Sequence, residues 1–413
     1  MKKKKTFEPK PQGASETAKP ILSTPDASTE LESTMKAPVI EEEPVLTFYT
    51  ENAVALYTLW FGLDYGSILT AYALYKTVED MGKKPYLIEK PTALWSDHYA
   101  DKENIAGKFI YHYCDVIPSA SNASARAALE AIDTHITGSD VIWDCRVVGE
   151  QVGKYFYLDS VTRETDTRIA YASSVGIDYN IGCDKRNDFS ILLHKFNGIS
   201  VKSLDESLTL WDYYYLQPEI VLDPLFLCNK AYYVNCAENS VAKEVERETS
   251  YIFTYIKNGN ARKRDFVLKG NEVLLEKYFS PLRNFIDINR YPESKAALGL
   301  DPAYHILVQD WLHYIISSDF VITDDYYGMC FAILFEKNFV VICDREIKDV
   351  SRYMTLLEQL ELTDRLVYTD EDFKKKLYLF RKPIRYQTVN TKLKALQDSS
   401  YNWLKSMLDV KNQ

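Results

Sequence analysis

At 413 residues the chain has room for two domains, because single hydrophobic cores stop growing well short of that length. Hydrophobic residues make up 46% and charged residues 26%, the balance of an ordinary soluble globular protein. Fifty-nine acidic residues against 49 basic ones give a formal net charge of −10, which disfavours a general nucleic-acid role: phosphate backbones demand clustered lysine and arginine.

The seven cysteines are an odd number without a C-x-x-C pair, which argues against a disulfide framework or a zinc site and for a reducing compartment. Apolar runs stay far below the 18 residues of a membrane span, and the lysine-rich start lacks the apolar stretch of a signal peptide. A cytoplasmic protein is expected. Thirty-one tyrosines suit a sheet-rich interior and also carbohydrate-facing surfaces.

Residues 1–44, rich in Lys, Pro, Ser, Thr and Glu, cannot bury enough surface to offset ordering entropy, so a disordered tail is predicted. Val54 to Trp60 reads as a strand, Ser67 to Met81 as an amphipathic helix closed by Gly82, and Lys84 to Ile88 as the next strand. A helix is predicted from Ser124 to Thr134, then a short strand running into Gly138-Ser139-Asp140, a ligand loop or a helix cap. Strands follow at Arg168 to Ala172, Ile199 to Val201 and Glu219 to Leu222, with helices at Asn187 to Phe196 and Asp205 to Tyr214. Pro224 stops that block. After a polar interval around Ala237 to Glu248 the alternation restarts: strand Tyr251 to Ile256, helix Asn271 to Phe279, strand Phe285 to Ile288, helix Ile306 to Ile316. A helix from Asp349 to Leu360, a strand from Arg365 to Tyr368 and a terminal helix from Thr391 to Leu408 complete the chain.

Two blocks of strand–helix alternation imply two doubly wound α/β domains facing one another, residues 45–236 and 237–390, with 391–413 as a C-terminal helix. The cleft between such domains is where a ligand belongs. The most informative stretch is Asp319 to Asp344. It reads as a βαβ unit, with Phe320 to Ile322 and Phe339 to Ile342 as buried strands and Thr323-Asp324-Asp325 as a polar turn opening the helix. Tyr326, Tyr327 and Gly328 fall at the strand's carboxyl end, where open α/β sheets bind ligands.

Six segments in order resemble motifs of the polysaccharide pyruvyl transferase family. Asp64-Tyr65-Gly66-Ser67 with Leu69 to Leu74 is similar to its N-Y-G…L-x-A-Y-A-L opening, and Gly138-Ser139-Asp140-Val141-Ile142-Trp143 to G-S-D-Q-[VI]-W. Tyr171 to Gly176 resembles Y-A-A-S-F-G, Ser200-Val201-Lys202-Ser203 sits where S-V-R-E is expected, and Leu222-Asp223-Pro224 to Leu227 resembles L-D-P-x-F-L. Val321 to Gly328 is similar to V-I-T-D-S-F-H-G.

The resemblance implies two Rossmann-like domains of the glycosyltransferase B kind. It also implies transfer of a pyruvyl group from phosphoenolpyruvate to a sugar hydroxyl of a cell-surface polysaccharide, with phosphoenolpyruvate as donor substrate, no further cofactor and no obvious metal. By that resemblance Lys202, Tyr327 and Asp324 are the candidate catalytic residues. Asp64, Gly66, Ser67, Gly138, Ser139, Asp140, Asp325, Tyr326 and Gly328 are the candidate substrate-binding residues.

The departures fall on the chemistry: Tyr327 replaces a histidine, Lys202 an arginine, Ser203 a glutamate, Asp325 a serine and Val141 a glutamine. Tyrosine mainly donates a neutral hydrogen bond where histidine shuttles a proton. Lysine keeps arginine's charge without its two-point grip. Asp325, at a helix start, can take the free N–H groups that a substrate anion would use, and two like charges 4 Å apart repel by roughly 4 kcal/mol at an effective dielectric near 20. The alternatives are a catalytically impaired relative that binds glycan or a partner, and a nucleotide-sugar glycosyltransferase. In the plainest reading Tyr326 and Tyr327 are packing residues, Asp324 a turn residue, and Trp60, Trp95 and Trp143 core residues.

Overall fold

The computed structural model describes residues 47–61, 64–89, 104–118, 123–148, 154–176, 186–240, 251–256, 284–287, 306–343 and 350–410. All of them belong to one unit, Val45–Gln413. The N-terminal tail and the helix expected at Asn271 to Phe279 lie outside the described residues.

The apolar runs pair as two all-parallel sheets. The first contains β1 (Ala53–Tyr57), β2 (Lys84–Ile88), β3 (Val116–Ile117), β4 (Thr134–Thr137), β5 (Thr167–Ala170), β6 (Gly198–Val201) and β7 (Glu219–Ile220), in the order β3-β2-β1-β4-β5-β6-β7. The second contains β8 (Tyr251–Tyr255), β9 (Asn284–Asp287), β10 (Phe320–Thr323), β11 (Asn338–Ile342) and β12 (Leu366–Val367), in the order β12-β11-β10-β8-β9. β1, β4, β5, β8 and β10 are buried along their whole length, as central strands covered on both faces must be.

Helices fill the space between the sheets, and two of them explain how. The Tyr65–Asp80 helix buries thirteen of its sixteen residues, so it is an interior helix rather than a surface one. It ends because Gly82 takes φ +79°, and the Gly82 and Lys83 N–H groups turn back to the Glu79 and Val78 carbonyls. The Tyr326–Leu334 helix is buried at every position.

Between them lies an aromatic seam. Tyr65 stacks on Trp311 at 5.8 Å and donates to the Ile306 carbonyl at 2.8 Å; Trp311 meets Phe331 edge-on at 5.3 Å, and Phe331 meets Tyr233 at 5.1 Å. The tyrosines therefore pack where the two sheets' helices meet. The 23-residue Tyr386–Leu408 helix, about 34 Å long by its rise per residue, ties the sheets together. Tyr386 bonds the Ala332 carbonyl at one end, while Gln397 and Ser400 bond Phe226 and Leu222 further along.

Several boundaries differ from the sequence reading. The helix expected to run to Thr134 stops at Ala131, because Thr134 already begins β4, a buried strand between β1 and β5. β1 ends at Tyr57, not Trp60. The stretch around Ala237 is not a polar interval at its start: Lys230–Glu238 is a helix whose Tyr233, Cys236 and Ala237 are buried. Arg365 closes a short 3₁₀ turn, leaving only Leu366 and Val367 in β12. Helices at Ile105–Tyr113 and Lys230–Glu238 were not expected; the second is weakly patterned, whereas Asn104 capping the first, with Ala106, Phe109 and Ile110 on its buried face, was a signal passed over.

One buried polar cluster lies beneath β4. His135 Nδ1 is 3.3 Å from the Tyr57 hydroxyl and its Nε2 is 3.6 Å from Asp166, with Arg163 and Arg168 adjoining. Burial pushes the imidazole down to about 4; Asp166 opposes that and Arg168 adds to it. A histidine held neutral in the fold but titrating near 6.5 when unfolded stabilises the protein above pH 6.5, and that stability is lost as pH falls toward 4. Urea unfolding should therefore show on the order of 2 kcal/mol less stability at pH 5 than at pH 7. The difference should shrink in His135→Gln; an unchanged difference would assign the acid sensitivity to other groups.

Candidate functional site

Both sheets reverse strand order once, and both reversals face the same place. In the first sheet the switch lies between β1 and β4; in the second it lies between β8 and β10. Parallel sheets bind ligands outside the carboxyl ends of strands at such points. Here those ends carry Asp64 to Ser67 after β1, Gly138-Ser139-Asp140 after β4, Lys202 after β6 and Asp324 to Gly328 after β10.

The loop after β4 needs its glycine. Gly138 has φ +115°, and a Cβ there would sit 2.2 Å from the Tyr171 carbonyl oxygen. This close approach delivers Ser139 and Asp140 to the interior. Ser139 donates to the Ala172 carbonyl at 3.2 Å, and Asp140 accepts the Ser67 hydroxyl at 2.6 Å. Neither caps a helix.

Lys202 is the centre of the cluster. Its ammonium lies 3.1 Å from Asp223 Oδ2 and 3.4 Å from Ser139 Oγ, with side-chain exposures of 1% and 0% for Lys202 and Asp223. Asp223 also accepts the Thr70 hydroxyl at 2.5 Å and the Leu225 N–H at 3.2 Å. From the other sheet, the rings of Tyr326 and Tyr327 stand 5.5 Å and 5.7 Å from the same ammonium. The guanidinium of Arg352 lies 4.8 Å from the centroid of the Tyr326 ring.

The charges set the protonation states. Burial works to raise the Asp140 carboxyl, but Lys202 and Arg352 outweigh it, and with Ser67 and Tyr327 they hold it below the usual carboxylate range. Burial pushes the Tyr327 phenol well above its usual value, and Asp140 and Asp223 push it further. Tyr327 is therefore a neutral hydroxyl. That hydroxyl is buried and faces the Asp140 carboxylate, which it helps hold ionised.

The remaining predicted residues frame this cluster. Asp64 accepts the Gly66 N–H at 3.0 Å, and Asp325 accepts the Gly328 N–H at 2.9 Å, so each carboxylate caps its helix. Asp325 thus occupies the helix start itself. The Asp324 carbonyl accepts the Tyr353 hydroxyl at 3.2 Å. Gly66 lies against Tyr327: a Cβ on Gly66 would fall 1.9 Å from the Tyr327 ring. Ser203 caps the Leu204–Tyr214 helix, and Glu206, one turn on, takes the Lys202 N–H at 3.1 Å and also bonds Ser174. Trp60 and Trp143 are core residues, 4% and 1% exposed. Trp95 lies outside the described residues.

Sequence reasoning passed over three residues. Asp223 stood inside L-D-P-x-F-L as a strand end, although a carboxylate just past a strand's carboxyl end in a doubly wound sheet is itself a signal. Thr70 stands at the variable position of the Leu69 to Leu74 motif, and Arg352 carries no local pattern, so both enter only through the fold.

The profile of the polysaccharide pyruvyl transferase family matches residues 64–342. The chain belongs to that family. Among solved structures it is similar to the UDP-GlcNAc 2-epimerase from Neisseria meningitidis bound to UDP-GlcNAc: TM-score 0.51, 9% identity, over 82% of this chain and 94% of that one. The UDP-GlcNAc 2-epimerase from Methanocaldococcus jannaschii gives TM-score 0.49 at 10% identity, over 80% and 91%. A glycosyltransferase from Rickettsia africae gives 0.47 at 12%, over 87% and 96%. At such identities the likeness shows the fold alone: two Rossmann-like halves of the glycosyltransferase B type. Curated proteins yielded no match.

Proposed function

We propose that the protein transfers a pyruvyl group from phosphoenolpyruvate to a sugar hydroxyl in the synthesis of a cell-surface polysaccharide. The observation that carries the reading is the Lys202 ammonium, held among Ser139, Asp223, Tyr326 and Tyr327 by loops from both sheets. Lys202 pairs with the donor's phosphate or carboxylate, Tyr327 donates a neutral hydrogen bond, and Asp324 fixes the turn that carries Tyr327. Asp140, held ionised by Lys202 and Arg352, orients an incoming sugar hydroxyl by accepting its hydrogen bond. Forming a ketal requires two sugar oxygens to bond the donor's C2, its methylene carbon to gain a proton, and the C2–O bond to break with release of phosphate. A cytoplasmic location fits a donor made there, and among the described residues no helix is long and apolar enough to cross a membrane.

Phosphate release from phosphoenolpyruvate in the presence of diol-bearing glycans tests the reading. Native protein should release phosphate, and Lys202→Met should reduce the rate at least a hundredfold; no release with any glycan across pH 5–9 would overturn it.

A second reading, a non-catalytic relative that binds glycan or a partner, is favoured by a specific observation. Lys202 already has an anion, and Tyr327 is packed onto Gly66 with 2% exposure. Tight glycan binding without phosphate release would establish it. A nucleotide-sugar transferase is distinguished by thermal shift with nucleotide sugars.

A further inference from the structure

We propose that Asp223 is a positioning residue that acts as a resident stand-in for the donor's anionic group, and that its hold on Lys202 sets donor affinity. The proposal deepens the reading of the seam as a donor site and rests on it.

Asp223 is anchored independently of Lys202. One carboxylate oxygen takes both the Thr70 hydroxyl and the Leu225 N–H, leaving the other turned to the ammonium at 3.1 Å. The Ser139 hydroxyl lies 3.3 Å from the same oxygen and 3.2 Å from the Ala172 carbonyl, so its one proton serves either acceptor in turn. Ser139 and the faces of Tyr326 and Tyr327 lie beside the ammonium, and Asp140 also feels its charge. A phosphate or carboxylate reaching Lys202 must therefore take over the interaction that Asp223 now supplies. The exchange is anion for anion, so Lys202 is neutralised with the donor present or absent, which a buried ammonium requires. When Lys202 turns to the donor, Asp223 keeps Thr70 and the Leu225 N–H as donors, and the Ser139 hydroxyl can turn to it from Ala172. The cluster's cations, Lys202 and Arg352, face Asp140 and Asp223, with Asp64 and Asp325 close by, so an added anion meets no surplus of positive charge. Asp223 accordingly weakens donor binding, and removing its charge should strengthen it.

Calorimetric titration of the full chain with phosphoenolpyruvate, and separately with inorganic phosphate, tests this. Asp223→Asn keeps an acceptor for Thr70 and Leu225 and should bind each anion at least tenfold more tightly than native protein. The gain should vanish in Lys202→Met/Asp223→Asn. Unchanged or weaker affinity in folded Asp223→Asn, or a gain that persists without Lys202, overturns the proposal. Where Asp223→Asn fails to fold, Asp223→Ser, which retains an acceptor for the Leu225 N–H, serves the same titration. A Lys202-dependent gain in phosphate affinity in a protein that turns over no phosphoenolpyruvate supports the proposal and removes the pyruvyl-transfer reading. Turnover with no change in affinity removes the role of Asp223 alone.

Discussion

Lys202→Met is expected to lower folding stability by about 3–5 kcal/mol, because removing one partner of a buried ion pair leaves the other charge without compensation. Both side chains are sealed from solvent, so water cannot stand in for the missing ammonium. Tyr326 and Tyr327 lose a cation beneath their rings at the same time. Denaturant unfolding reads the loss as a lower midpoint at an unchanged slope. The double variant Lys202→Met/Asp223→Asn should recover most of it, since the amide keeps the Thr70 and Leu225 hydrogen bonds while shedding the orphaned charge. A double-mutant cycle with no coupling between the two positions would show that the pair contributes nothing to the fold. Activity should be lost in both variants, which separates the stability role of the pair from its chemical one.

The strands were the legible part of this protein because parallel strands covered on both faces must be continuously apolar. Phe320 to Ile322 and Phe339 to Ile342 announce themselves in that way. Helix ends were legible where capping chemistry is local, as at Gly82 and Asp325. What failed was any element whose reason for existing is tertiary. Thr134 looks like a helix terminus by pattern and is a strand residue because β1 and β5 flank it. Lys202, Ser139, Asp140 and Tyr327 were readable as candidates through their motifs, and the structure brings them together. Their electrostatics were not readable. That Lys202 is already paired depends on Asp223, 21 residues away, and the low titration of Asp140 depends first on Lys202 and then on Arg352, more than 200 residues away. Charge balance in a buried site is a property of the fold, and spacing along the chain carries no trace of it.

Gly66→Ala should be among the most damaging single-methyl additions in the chain. The new Cβ would lie 1.9 Å from Tyr327 Cδ2, 2.3 Å from its Cγ and 2.7 Å from its Cβ. The clash therefore involves the root of the side chain and not only its free end. Overpacking of a dense interior typically costs about 1–3 kcal/mol, occasionally more. Relief requires moving the Tyr327 ring or separating the Tyr65–Asp80 and Tyr326–Leu334 helices, which Trp311 and the Tyr65–Ile306 hydrogen bond resist. Tyr327→Ala alone should cost about 3–5 kcal/mol as a large-to-small change in a packed core. The double variant Gly66→Ala/Tyr327→Ala should be no less stable than Tyr327→Ala, because the methyl then enters space the ring has left. Such strong non-additivity is the signature of two groups in direct contact. Additive costs would mean that Gly66 and Tyr327 do not touch in solution, and that the seam stands open there to a ligand without any rearrangement.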